Sequence, residues 1–181
     1  MLKRTICVIV LLAAGMSSSA RWKGDKYLYA EAAYLKEMDY ENSSQWMLNA
    51  GIEYIGNPLK SFGCELNIWH YKEPGNTALG FGLRPMTKYY LWRTRRFRVF
   101  IEVKGGLIYV TPDFPDGGSQ FNFTFSSSAG GDIRISDRTR LMLAARYAHM
   151  SNWNLYGTDN NPTWDGLGYV AGVIWNINNW F

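Results

Sequence analysis

Trp46-Met47-Leu48-Asn49-Ala50-Gly51-Ile52-Glu53-Tyr54 alternates with a period of two. Trp46, Leu48, Ala50, Ile52 and Tyr54 share one face, while Asn49, Gly51 and Glu53 share the other. Successive side chains on a strand point to opposite faces, so this stretch reads as a strand with one apolar side. The pattern recurs along the chain. Phe62, Cys64, Leu66 and Ile68 oppose Gly63, Glu65 and Asn67, and Phe97, Val99, Ile101 and Val103 oppose Arg98, Glu102 and Lys104. Phe121, Phe123 and Phe125 oppose Asn122, Thr124 and Ser126. Near the end, Leu167, Tyr169, Ala171, Val173, Trp175 and Ile177 oppose Gly166, Gly168 and Gly172. The spacing predicts eight strands, over residues 26–37, 45–56, 59–71, 77–91, 97–110, 119–135, 138–151 and 165–178.

A soluble sandwich turns such apolar faces inward, whereas an outer-membrane barrel turns them out to lipid. The polar faces favour the second. They carry Glu31, Glu53, Glu65, Glu102 and Asp132 together with Arg84, Arg98, Lys104, Arg134 and Arg146, a two-sign set suited to an enclosed interior where each charge finds a partner. No segment after the first twenty residues is a long enough apolar run for a membrane helix. The expected fold is therefore all-β, an eight-stranded antiparallel up-and-down transmembrane β-barrel, its interior filled by side chains without a pore. Tyr34, Trp46, Tyr54, Trp69, Tyr109, Tyr169 and Trp175 are expected in the aromatic girdles or against lipid.

The N-terminus reads as a leader: Lys3 and Arg4 form a basic region, Ile6 to Ala14 an apolar one, and Ser18-Ser19-Ala20 a small-residue cleavage site. Residues 1–20 are expected to be removed, leaving 21–181 as one barrel domain. Lys3 and Arg4 leave with the leader and no acid does, so 17 basic residues remain against 15 acidic ones. That balance is no nucleic-acid footprint. Cys7 also leaves, and Cys64 is then alone. With a periplasmic N-terminus, the outer loops fall at 38–44, 72–76, 111–118 and 152–164. Arg93, Arg95 and Arg96 lie on the periplasmic side, near anionic headgroups. The terminal Trp180-Phe181 is similar to the C-terminal signal read by the barrel-assembly machinery, although Asn179 stands at a position usually apolar or aromatic.

His149-Met150-Ser151-Asn152 closes the seventh segment, at outer-leaflet height. His149 and Ser151 lie two apart and so share a face, the one that carries Leu141, Leu143, Ala145 and Tyr147. A serine hydroxyl needs a base to take its proton, usually a histidine held by a carboxylate. Asp165 shares the lipid face of the eighth segment beside them and is the expected acid; Asp159 in the loop is a weaker candidate. Asn152, or a backbone N–H nearby, is expected to face the oxyanion of a tetrahedral intermediate. His70 also ends a rising segment, but Lys72 follows it two residues on in place of a serine.

The run His149-Met150-Ser151-Asn152, with Asn161-Pro162 and Asp165-Gly166-Leu167-Gly168 after it, resembles the lipid A 3-O-deacylase family of the PagL type. Gly105 to Tyr109, Phe121 to Gly131 and Arg138 to Tyr147 look like its fifth, sixth and seventh strands. The resemblance implies an outer-membrane barrel with an outward-facing triad that hydrolyses the 3-position ester of lipid A and releases a 3-hydroxy fatty acid. Carried onto this chain, it makes His149 the base, Ser151 the nucleophile and Asn152 the oxyanion residue. Asp165 departs from the glutamate of the best-known members and is one methylene shorter. The implied partner is lipopolysaccharide in the surrounding outer-membrane lipid; no cofactor or metal is implied, and homodimer formation is left open. Two other readings remain: a structural or adhesive barrel without catalysis, and an esterase for another membrane lipid.

Overall fold

The computed structural model describes residues 24–39, 41–157, 161 and 163–178. The leader, Asp159 and the terminal Phe181 lie outside the described residues. Eight strands follow in sequence: β1 (Lys26–Glu37), β2 (Ser44–Asn57), β3 (Lys60–Glu73), β4 (Asn76–Arg93), β5 (Phe97–Phe114), β6 (Ser119–Arg134), β7 (Thr139–Ser151) and β8 (Trp164–Asn176). Each pairs antiparallel with the next, and β8 pairs with β1 to close an up-and-down barrel. Closure leaves no sheet edge, which a wall in lipid requires because hydrocarbon cannot satisfy free backbone groups.

The stagger of the wall is written in its register. From Lys26 the cross-strand partners run through Tyr54, Phe62, Thr87, Val103, Ser127, Tyr147 and Leu167, and return to β1 at Lys36, ten residues higher. Ten residues at about 3.3 Å against eight strand spacings of about 4.8 Å tilt the strands by about 40°, within the range of such barrels. A line of partners therefore climbs toward the outer rim from β1 to β8.

The two faces separate as the alternation requires. Leu48, Ile52, Leu66, Leu83, Leu107 and Leu143 are exposed on the outer surface, Leu66 at 68%. The interior has three tiers. Near the periplasmic end, Arg98 lies over the rings of Tyr27 and Tyr90, Tyr90 packs edge-on against Phe100, and the Arg98 Nε donates to Asp132 at 2.9 Å. At mid-height Lys104 reaches Glu31 (2.8 Å), Glu65 (2.7 Å) and Glu102 (3.3 Å), Arg84 pairs with Glu65, and Arg146 with Glu31 (2.7 Å) and Glu102 (3.1 Å). Toward the outer mouth Trp69, Tyr71, Phe114 and Trp164 stack into a plug, with ring centroids 4.2 Å apart for Tyr71 and Phe114. Opposite charge offsets this burial: Lys104 reaches three carboxylates, while Arg84 and Arg98 each pair with one.

Three expectations are corrected. Trp69 is fully buried inside the barrel rather than in a girdle; it shares the phase of Glu65 and Asn67, and Arg84 lies over its ring at 4.9 Å. Arg134 is not part of the interior set. It ends β6 at the periplasmic rim, where it pairs with the exposed Asp137. Strand β5 runs on to Phe114, with an irregular register between Tyr109 and Phe114. Pro112 has no N–H for the ladder and is accommodated in that irregular stretch. On the outer side β3 and β4 are joined by a tight hairpin through Pro74-Gly75, where Gly75 takes φ 82°, a left-handed conformation suited to glycine.

Candidate active site

The outer ends of β7 and β8 are held from inside. Met150 and Trp164 are cross-strand partners and both fully buried. The Tyr71 hydroxyl donates to the Met150 sulfur at 3.0 Å, and the Trp164 indole N–H donates to Ser43 Oγ at 3.1 Å. With these two side chains pinned inward, their neighbours His149, Ser151 and Asp165 point outward. Asp165 stands directly opposite His149 in the ladder.

The imidazole bridges the other two groups. Its Nδ1 lies 3.0 Å from Asp165 Oδ1, and its Nε2 lies 3.3 Å from Ser151 Oγ. Because a carboxylate only accepts, the Nδ1 that faces Asp165 is assigned the proton, which leaves Nε2 as acceptor for the serine hydroxyl. The Tyr147 hydroxyl donates to the same Asp165 oxygen from the next outward position of β7. The His149 and Asp165 side chains are 33% and 24% exposed, so the group meets the surroundings from the side of the barrel and not from its lumen.

Asn152 follows Ser151 into the outer loop. It is 1% exposed, its side-chain N–H donates to Ser119 Oγ at 3.2 Å, and its Oδ1 accepts the Asn154 N–H at 3.0 Å. Its backbone N–H donates to Asn161 Oδ1 at 2.9 Å. These bonds tie the start of the outer loop to β6. Trp153 and Asn154 follow with φ of 54° and 60° and turn the chain sharply. Asn161 donates to Asn154 Oδ1 at 2.7 Å and lines a cavity of about 590 Å³ together with Ser151, His149, Trp153, Phe123, Phe125, Leu107 and Gly105. Period-two spacing alone sets Tyr147 on the apolar face, and it does not single out Asn161. The i−2 position of Tyr147 and the place of Asn161 four residues before Asp165 were the available signals. His70 lies on the outer face of β3, paired with Trp46 and Leu79, away from this group.

An apolar wall, a charged lumen and a polar group at the outer rim define an outer-membrane β-barrel. A sequence profile of the family described as lipid A 3-O-deacylase (PagL) matches residues 28–172, and the chain belongs to that family. Membership implies a lipid A deacylase, a hydrolase of the outer membrane. Among solved structures, the outer membrane enzyme PagL is similar with a TM-score of 0.63 and 15% identity, over 81% of this chain and 97% of that one. Neisserial surface protein A matches with a TM-score of 0.55 and 16% identity, over 83% and 96%. The N-terminal β-barrel domain of Pseudomonas aeruginosa OprF matches with 0.55 and 12%, over 85% and 98%. At these identities the likeness to solved structures is one of fold. A comparison with curated protein sequences finds no match.

Proposed function

We infer that the chain cleaves the 3-position acyl ester of lipid A in its own leaflet, with Ser151 as nucleophile, His149 as general base and Asp165 as the orienting acid. The carrying observation is the imidazole that spans a hydroxyl and a carboxylate on the lipid face, where isolated polar groups are costly. His149 Nε2 takes the Ser151 proton as Oγ attacks the ester carbonyl. The tetrahedral intermediate collapses, the sugar oxygen leaves with the proton from Nε2, and the acyl group stays on Ser151. Water, deprotonated by the same Nε2, then attacks the acyl-enzyme, releasing the fatty acid and restoring the hydroxyl. The Asp165 carboxylate holds the Nδ1–H and stabilises the imidazolium at each stage. The amide of Asn152, or a backbone N–H beside Ser151, meets the developing oxyanion, and Asn154 and Asn161 line the same cavity.

A fluorophosphonate probe on the purified barrel tests this assignment. The native chain is expected to be labelled at Ser151, while Ser151→Ala and His149→Ala lose labelling and keep the heat-modifiable gel mobility of a folded barrel. Undiminished labelling of a folded Ser151→Ala variant would remove the nucleophile from the account.

A further inference from the structure

Gly105 lacks a side chain at a place where the fold does not ask for a glycine. At every other glycine within a described strand, an added Cβ would stand within 3.2 Å of another atom; at Gly106 the obstacle is the Leu83 carbonyl oxygen, 2.1 Å away. At Gly105 the nearest atom is the Thr124 carbonyl oxygen at 3.7 Å, an ordinary contact, and the backbone is not left-handed. Glycine inside a strand weakens it and often marks a close approach by a ligand. What the missing side chain makes room for lies outside the barrel.

Gly105, Phe125, His149 and Asp165 are successive cross-strand partners on one line of the outer surface. Since such lines climb from β1 to β8, this one descends from His149 at the rim toward Gly105 in the apolar leaflet. The cavity of about 590 Å³ that holds Ser151 and His149 extends along it, walled by Phe123, Phe125 and Leu107. Two strand spacings of about 4.8 Å and two residues at about 3.3 Å separate Ser151 from Gly105, roughly 12 Å in all. Zigzagged carbon–carbon bonds of about 1.5 Å cover that distance in on the order of ten carbons.

We propose that this line is the acyl track of the enzyme and that Gly105 is a specificity-determining residue for chain length. The acyl chain of the ester attacked by Ser151 crosses the two phenylalanines and continues over the bare backbone at Gly105 into the leaflet. The proposal rests on the Ser151–His149 reading and adds to it the direction and length of the chain. A short acyl group ends before Gly105, and a long one passes over it. Any side chain grafted there stands in the path of the long chain alone.

Hydrolysis of p-nitrophenyl butyrate and p-nitrophenyl laurate by the purified full chain in detergent provides the test. Gly105→Leu and Gly105→Phe are expected to lower the laurate-to-butyrate ratio of kcat/KM by about tenfold or more, the scale on which a pocket rejects a methylene or two. Gly105→Ala should lower it less. These variants are expected to assemble because the new Cβ makes only an ordinary contact with the Thr124 carbonyl oxygen, and gel mobility checks that they do. Ala32→Leu, on the outer face of β1, should leave the ratio unchanged. A ratio unaltered in the Gly105 series, or lowered as much by Ala32→Leu, overturns the track. If Ser151→Ala is inactive on both esters while the Gly105 series leaves the ratio unchanged, the track fails and the Ser151 reading stands. If Ser151→Ala still cleaves both, the Ser151 reading itself fails.

Discussion

An aspartate reaches His149 because the ladder sets its Cα directly opposite, and a side chain one methylene shorter than glutamate then closes to 3.0 Å. The same oxygen takes the Tyr147 hydroxyl, so the carboxylate plane is fixed by two donors. Asp165→Asn keeps the shape but changes the favoured imidazole tautomer, and kcat is expected to fall by roughly a thousandfold or more. Tyr147→Phe removes only the second donor, and a loss of about tenfold in kcat with little change in KM is expected from one hydrogen bond to a charged group. Steady-state hydrolysis of p-nitrophenyl butyrate measures both, and a Tyr147→Phe effect confined to KM would place the tyrosine against substrate instead. The His149–Ser151 pair was legible because period-two spacing fixes a shared face. Asp165 was legible through strand order. The burial of Asn152 was not, since it depends on Ser119 and Asn161, thirty-three and nine residues away, and no local pattern encodes those contacts.

Strand identity was legible wherever apolar and polar residues alternate, as in β2 and β8, because one register keeps Leu48, Ile52 and Leu167 in lipid and Glu53 inside. Strand ends were not: the outer part of β5 loses the alternation and runs on past Pro112 to Phe114, and β4 continues to Arg93 at the periplasmic end. Trp69 was misplaced by residue type, since indole is common at membrane interfaces, although its phase with Glu65 and Asn67 sets it inside. The mid-height tier makes a prediction about the wall. Glu65 accepts from both Arg84 and Lys104. Glu65→Leu strands part of that positive charge in an interior without water to spare, and a loss of about 3–5 kcal/mol is expected. Urea unfolding of the purified barrel, followed by gel mobility, reads it; an unchanged midpoint would mean that the interior charges are solvated after all.

At the scale of the whole molecule, a filled barrel leaves its outer surface as the workplace. The lumen is blocked by the plug of Trp69, Tyr71, Phe114 and Trp164, so substrate has no route through it. On the reading proposed above, the outer wall would offer Ser151 to molecules diffusing in the same leaflet, and the stagger of the strands would carry an attached acyl chain down toward the bilayer centre. Catalysis and anchoring would then use one surface, and membership of the lipid A 3-O-deacylase family implies lipid A as the lipid that meets it. Mass spectrometry of lipid A from outer membranes carrying the native chain or Ser151→Ala at equal abundance tests this most directly. The account predicts that lipid A with the native chain loses one 3-hydroxyacyl group and that lipid A with Ser151→Ala does not. Identical acylation in the two membranes, with both barrels folded, would contradict it.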